Sequence, residues 1–234
     1  MFKIITLTDD FIIVSKNADI NFHDEGESGL GIFSQVKNFV FLHYNITEIY
    51  PVHRLDKMTS GLLIFATNKN SAAIFGELFQ THQVQKYYLA ISNKKPTKKQ
   101  GLIKGDMAKS RRGMFKLMRT MNNPAITQFF SYTLANKFRL YLLKPHTGKT
   151  HQLRVALSSI GAPIYGDPLY NLNSSKIANV DRGYLHAYAL RFTFLNDLYE
   201  FTLPPTEGEV FSLESFKEQL LEINKPWLLS WPKI

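Results

Sequence analysis

Leu185–Phe194 and Tyr199–Leu203 are two apolar, aromatic-rich runs separated by only a few residues around Asn196-Asp197. So short a connection leaves no room for a crossover, so the two runs are expected to pair as an antiparallel hairpin. This pattern is not isolated. Phe11–Lys16, closed by Asn17 and Asp19, reads as a buried strand, as do Gly61–Thr67 and Tyr87–Ser92. Three more extended segments follow in succession at Phe115–Met118, Ala125–Leu134 and Phe138–Leu143, and the chain enters a strand-like run at once over Met1–Leu7.

Helical spacing is confined to four stretches. Gly29–Tyr44 and Asn70–His82 carry apolar residues on one face, Thr150–Ile160 is stopped by Gly161 and Pro163, and Ser212–Ile223 follows Pro204-Pro205. Clustered strands with few helices between them define the expected class: α+β, with a mixed, largely antiparallel central sheet and flanking helices. We expect one domain over residues 1–234, its core at about 8–205, with 206–234 a helical tail packing its leucines back on the body. The stretch 94–114 is expected to be a linker between two lobes that share the sheet.

The chain has no cysteine, which excludes disulfides and thiolate metal sites. No apolar run approaches the roughly 20 residues that span a bilayer, and the first residues lack a signal-peptide layout. A soluble cytoplasmic protein, without membrane association, is expected. The formal charge is +9, and 10 of the 28 lysines and arginines fall in the 26 positions from Lys94 to Arg119, opposed only by Asp106. Charge focused in this way points to a polyanion such as nucleic acid.

Three segments carry chemistry. In Val52-His53-Arg54-Leu55-Asp56, a carboxylate flanked by Arg54 and Lys57 is expected to stay ionised, and Thr59-Ser60-Gly61 supplies a turn behind it. Taken alone, this string reads first as a surface salt-bridged loop. In Thr147-Gly148-Lys149-Thr150-His151-Gln152-Leu153-Arg154, a helix beginning at Thr150 puts Arg154 one turn on, placed to pair with a buried carboxylate. Adjacent Tyr87 and Tyr88 on a strand face opposite sides, so one fills the core and the other can face a cleft.

Together these segments resemble the RluA branch of the pseudouridine synthases, over nearly the whole chain from Phe11 to about Leu203. His53-Arg54-Leu55-Asp56 with Thr59-Ser60-Gly61 matches the family signature, Lys86-Tyr87-Tyr88-Leu89-Ala90 its Lys-x-Tyr motif, and His151-Gln152-Leu153-Arg154 its third motif. Gly161-x-Pro163-Ile164-x-Gly166-Asp167 and Leu185-His186-Ala187 are similar to further family positions. The resemblance implies the pseudouridine synthase fold with a catalytic cleft across the sheet. It also implies that Asp56 is the catalytic aspartate, that Tyr88 stacks on the target base, and that Arg154 pairs with Asp56. By the same resemblance Arg54 supports the flipped nucleotide, and His53, Lys149, His151 and Gln152 join it in binding substrate.

The implied reaction detaches uracil from its ribose, turns it and rejoins it through carbon, which requires extruding the nucleotide from its helix. It needs no cofactor or metal, and the implied partner is structured RNA, ribosomal or transfer, with no obligatory protein partner. The chain departs from the family in two places. Lys149 stands where arginine is common, keeping charge without a bidentate grip, and Ala156 stands where histidine is common. The family's frequent S4 RNA-binding module is not present in these 234 residues, and the basic stretch is a candidate for part of its work. A non-catalytic RNA-binding protein on the same scaffold is the alternative. A Ser-His-Asp hydrolase is disfavoured because no Gly-x-Ser-x-Gly elbow occurs.

Overall fold

The computed structural model describes residues 2–26, 28–171 and 180–234. In chain order the elements are β1 (Phe2–Leu7), β2 (Phe11–Lys16), α1 (Ile32–Tyr44), β3 (Tyr50–Pro51), β4 (Ser60–Ala66), α2 (Lys69–Gln80), β5 (Gln85–Ser92), β6 (Gln100–Gly105), β7 (Met107–Lys109) and β8 (Phe115–Leu117). They continue with β9 (Ala125–Thr133), β10 (Arg139–Pro145), α3 (Gln152–Ser159), β11 (Leu185–Phe194), β12 (Asp197–Thr202) and α4 (Glu214–Glu222). The central sheet runs β1-β2-β4-β11-β5-β10-β9-β6, with β12 added on β11 and β3 on β4. Every pairing is antiparallel except β4 with β11, so the sheet is mixed and largely antiparallel, as expected.

Strand alternation sorts side chains onto two faces. Ile12 and Val14 of β2 join Leu63 and Phe65 of β4 on one face, covered by Ile32, Val36 and Val40 of α1 and by Leu153 and Leu157 of α3. Phe11 and Ile13 join Leu62 and Ile64 on the other, covered by Phe75 and Leu78 of α2. Because both faces are covered, β4 is buried along its whole length, which is why it reads as an unbroken apolar run rather than an alternating one. Phe11 is packed edge-on by Phe75, Phe192, Phe194 and Tyr199 at 5.1–5.7 Å. Each fully buried ring of this kind contributes about 1.5–3 kcal/mol through burial alone.

The parallel seam joins the two halves of the sheet at His186 opposite Ser60 and Ala187 opposite Gly61. Gly61 has φ +109°, and a Cβ there would lie 2.2 Å from the Ala187 carbonyl oxygen. Only glycine permits the backbones to approach this closely. The seam places the segment entering β4 beside β5, which pairs with the other side of β11.

Several expectations need correction. Residues 94–114 are not a linker: β6 is an edge strand of the central sheet on β9, and β7 pairs with β8 in a separate hairpin. Period-two alternation in 100–105 was masked by its lysine and glycines. The turn of the terminal hairpin is Leu195-Asn196, not Asn196-Asp197, since Phe194 pairs with Asp197 and both turn residues have positive φ (47° and 76°). Positive φ at both central positions is the backbone that matches a right-handed strand twist.

Helix ends also shift. Asn68 caps α2 by accepting the Ser71 N–H at 2.8 Å, and α3 starts at Gln152 because His151 takes left-handed φ, +56°. The core does not stop at 205: Val210, Phe211, Phe216 and Ile223 are buried in it. As expected, leucines of the C-terminal segment, Leu213, Leu220 and Leu229, pack back on the body, though Leu221 stays exposed, and Trp227 and Trp231 add contacts to Tyr87. Met1 of the expected first strand lies outside the described residues. Among the described residues no helix is long and apolar enough to cross a membrane.

Candidate active site

A cavity of about 330 Å³ opens beside the seam, lined by Arg54, Asp56, Tyr88, Lys149, His151 and Arg154 among others. Its chemical side chains come from three parts of the chain, the loop before β4, the strand β5 and the entry to α3, and Phe79, His82, Pro145 and Leu185 complete the wall. Asp56 sits in a tight turn, its carbonyl accepting the Thr59 N–H at 3.0 Å. The turn is held from below by Lys16 at the end of β2. Its Nζ donates to the carbonyls of Asn17 (2.9 Å), Lys57 (3.0 Å) and Thr59 (2.8 Å), and the residue is 1% exposed. Three acceptors match the three N–H groups of an ammonium. Burial nevertheless pushes the Lys16 pKa down to about 7, against the pull of Asp19 and Asp56.

Behind the turn, Arg182 donates to Ser60 Oγ at 2.7 Å, Ser60 meets His186 Nδ1 at 2.7 Å, and His186 Nε2 meets the Leu203 carbonyl at 2.7 Å. A carbonyl only accepts, so His186 carries its proton on Nε2 and accepts from Ser60. Burial holds the His186 pKa at about 4, and the ring is neutral at physiological pH.

Arg154 projects from the first turn of α3 toward two carboxylates. Its Nε and Nη2 donate to Asp167 Oδ2 and Oδ1 at 2.7 and 2.8 Å. Its Nη1 reaches Asp56 Oδ2 at 3.5 Å. Asp167 is 0% exposed, and its Oδ1 also accepts the N–H groups of Leu169 and Tyr170. The Arg154 guanidinium lies over the Tyr170 ring, 5.0 Å from its centroid. Burial lowers the Arg154 pKa, but the bond to Asp167 and the charges of Asp167 and Asp56 outweigh it, and the net shift is upward. Asp167 therefore sets the direction of the guanidinium, leaving Nη1 aimed at Asp56.

Tyr88 lies on the cavity side of β5 and Tyr87 on the other, where Tyr87 contacts Trp227 and Trp231. Burial first, then the nearby charge of Asp56, push the Tyr88 hydroxyl well above the usual phenol range. Its ring is a neutral, apolar wall. Arg54 is exposed at the mouth of the cavity.

The other expected substrate-binding residues are differently engaged. His53 Nε2 accepts the Ile64 N–H at 2.9 Å and its ring stacks on Phe79 at 5.1 Å. Burial and then Lys86 lower its pKa to about 3, so it is a neutral strut between the loop and β4. Gln152 is buried: its Oε1 accepts from Thr147 Oγ1 and the Lys149 N–H, and its Nε2 donates to the Ile126 carbonyl and to Thr127. These four bonds clip the 147–149 turn to β9. His151 Nδ1 meets Tyr170 Oη at 3.0 Å, and Tyr170 Oη accepts the Phe115 N–H at 2.8 Å. That contact ties the basic β7–β8 hairpin to the cavity. Lys149 Nζ donates to Asn123 Oδ1 at 2.9 Å, and Asp106 orders the same turn by accepting the N–H groups of Asn122 and Asn123. Ala156 is buried in α3.

Reading the sequence segment by segment missed Lys16, Tyr170, Arg182 and the role of Asp167. Asp167 lay inside a block marked only by similarity, and a lysine ending an apolar strand carries no signal of its buried amine.

The family model for RNA pseudouridylate synthase matches residues 10–159. An uncharacterized RNA pseudouridine synthase of Haemophilus influenzae is 49% identical over 94% of this chain and 95% of its own length. The ribosomal large subunit pseudouridine synthase C of Rickettsia typhi is 33% identical over 69% of this chain, which spans about half, 54%, of that relative. The solved human RNA pseudouridylate synthase domain containing 1 shares the fold, with TM-score 0.73 and 24% identity over 96% of this chain and 95% of that one. With the family model covering more than half of the chain and a relative matched nearly end to end, the chain belongs to the RNA pseudouridine synthase family.

Proposed function

We propose that this chain isomerises specific uridines to pseudouridine in structured ribosomal or transfer RNA, working in the cytoplasm, with Asp56 as its catalytic residue. One observation carries this reading: Asp56 and Tyr88, from separate elements, line a single cavity, with Arg154 reaching Asp56 at 3.5 Å. The target nucleotide must leave its helix at a cost of a few kcal/mol. Stacking on Tyr88 offsets part of this cost, and exposed Arg54 at the mouth is placed to fill the gap left behind.

The Asp56 carboxylate then either attacks the sugar or removes a ribose proton; both begin from a carboxylate aimed by Arg154. The N-glycosidic bond breaks and a carbon–carbon bond forms between the same base and ribose, with no net gain or loss of atoms. The cationic β7–β8 hairpin, tied to the cavity through Phe115 and Tyr170, is placed to hold the flanking RNA.

Pseudouridine mapping across total RNA tests this reading, comparing cells with the gene, without it, and with Asp56→Asn in its place. At least one site is expected to vanish in both the deletion and the Asp56→Asn strain, while the purified variant still binds RNA. Wild-type modification by Asp56→Asn would overturn the catalytic assignment. An unchanged map in the deletion strain would favour a non-catalytic RNA-binding protein.

A further inference from the structure

Beside the main cavity lies a smaller cleft of about 130 Å³, lined by His82, Lys86, Lys144 and His146 with Phe79 and Pro145. Phe79, His82, Lys86 and Pro145 line both spaces, so the two adjoin. The cleft wall thus carries two lysines and two histidines. Among the described residues, the ion pairs are Arg154 with Asp56 and Asp167, Arg191 with Glu200, and Lys217 with Glu214, and none includes these four side chains.

What the lysines do have is aromatic faces. Lys86 Nζ lies 5.4 Å from the Phe79 centroid, and Lys144 Nζ lies 5.5 and 5.6 Å from those of Tyr87 and Trp231. Ring faces orient an ammonium but do not replace a counter-ion. The neighbouring charges register at His146, while the lysines are lowered chiefly by burial. Burial lowers Lys86 to about 8. Burial and then Arg191 lower Lys144. Burial, followed by Lys144, His82 and Lys86, holds His146 at about 4.

His146 is also fixed in direction. Its Nε2 meets Gln128 Oε1 at 2.7 Å, and the Gln128 amide is oriented by donating its Nε2 to the Pro232 carbonyl. Lys86, Lys144 and His146 are therefore held at the cleft by their ring and amide contacts, with no carboxylate among its lining residues. Such an arrangement costs stability in the empty protein and is relieved by one bound anion. Lysines suit a single tetrahedral oxyanion, which they meet as point charges rather than as planar forks.

Building on the RNA-synthase reading above, we propose that this cleft is a phosphodiester subsite that seats one backbone phosphate next to the uridine held in the main cavity. It would fix the register of the RNA strand on the enzyme, as phosphate contacts do generally.

The test is the salt dependence of RNA binding, measured without turnover in an Asp56→Asn background. The probe is total RNA from cells lacking the gene. Log affinity against log KCl concentration is compared for the parent, Lys86→Gln/Lys144→Gln, Lys144→Arg, and Lys37→Gln. Lys37 is an exposed control on α1 that lines neither space.

Losing one phosphate contact should flatten the slope by about 0.7–1, and affinity at moderate salt should fall about tenfold. Lys144→Arg and Lys37→Gln should keep the parental slope, and the double variant should melt no lower than the parent because its buried charges are gone. A parental slope in the double variant would overturn the proposal, whatever its melting temperature. So would a slope lost equally in Lys144→Arg, since that would mark a packing role. Binding is read apart from product formation, so failure of this subsite and failure of the catalytic assignment are distinguishable.

Discussion

Arg154 makes its two short contacts, 2.7 and 2.8 Å, with fully buried Asp167, and reaches Asp56 with a single contact of 3.5 Å. The guanidinium is thus oriented from behind by one carboxylate and presented to the other. Removing one partner of a buried pair strands the remaining charge. Asp167→Asn is therefore expected to lower stability by about 3 kcal/mol and to cut kcat more than KM, because Arg154 loses its aim while the cavity wall persists. Urea unfolding and single-turnover rates check this. Wild-type kcat in a folded Asp167→Asn protein would show that Arg154 holds its aim without Asp167.

Tyr88 presents a neutral ring to the cavity, its hydroxyl kept protonated by burial and by the charge of Asp56. If the ring stacks on the base, Tyr88→Phe should retain most activity. Tyr88→Ala should lose the equivalent of one base–aromatic stack, about 1–3 kcal/mol, or roughly 5- to 150-fold in rate. Single-turnover pseudouridine formation separates the two. Equal losses in both variants would assign the role to the hydroxyl instead.

Lys16 anchors the Asp56 turn from inside the fold. Its folded pKa, about 7, lies below the ordinary 10.5, so between these values the unfolded chain binds more protons than the folded one. Stability on this account rises with pH across pH 7 to 10.5, and the cost is present in full below pH 7. Lys16→Met should remove that rise, amounting to about 1.4 kcal/mol per pH unit within the window. It should also lower kcat by freeing the turn. Denaturation midpoints from pH 7.5 to 10 for the two proteins are the check, and parallel curves would rule the linkage out.

Three neutral histidines make the fold acid-sensitive. Burial holds His53 at about 3, and His146 and His186 at about 4, with Lys86, Lys144 and Arg182 adding to the respective shifts. All lie below the ordinary 6.5, so this stability is fully present above pH 6.5 and is lost as pH falls from there toward 4. Its slope approaches about 4 kcal/mol per unit if all three titrate together. His53→Gln should reduce the slope by about a third. Unfolding midpoints between pH 7 and 4.5 measure it, and an unchanged slope would contradict the neutral assignment of His53.

Much of this was legible in the sequence because it depends on short-range rules. Strand alternation put Tyr87 and Tyr88 on opposite faces, and hairpin spacing fixed Leu185–Leu203 as an antiparallel pair. The motif around Asp56 and the one around Arg154 marked the segments that line the cavity. Errors came where local signals were diluted. One lysine and two glycines hid β6 as an edge strand, and a left-handed His151 moved the start of α3.

What the chain alone determined, then, was which segments form strands and helices and which segments carry the chemistry. Tertiary structure decided which partners those residues acquired. Asp167 took the bidentate grip of Arg154, Lys16 reached the carbonyls of Lys57 and Thr59 beneath the Asp56 turn, and Lys86 and Lys144 came to line one cleft without a carboxylate. Each of these depends on contacts between residues far apart in sequence, where burial removes water and makes every charge depend on its neighbours. Spacing along the chain carries no record of such contacts. That is why the Asp56 motif could be found from its neighbours in sequence, while the groups that hold it in place could not.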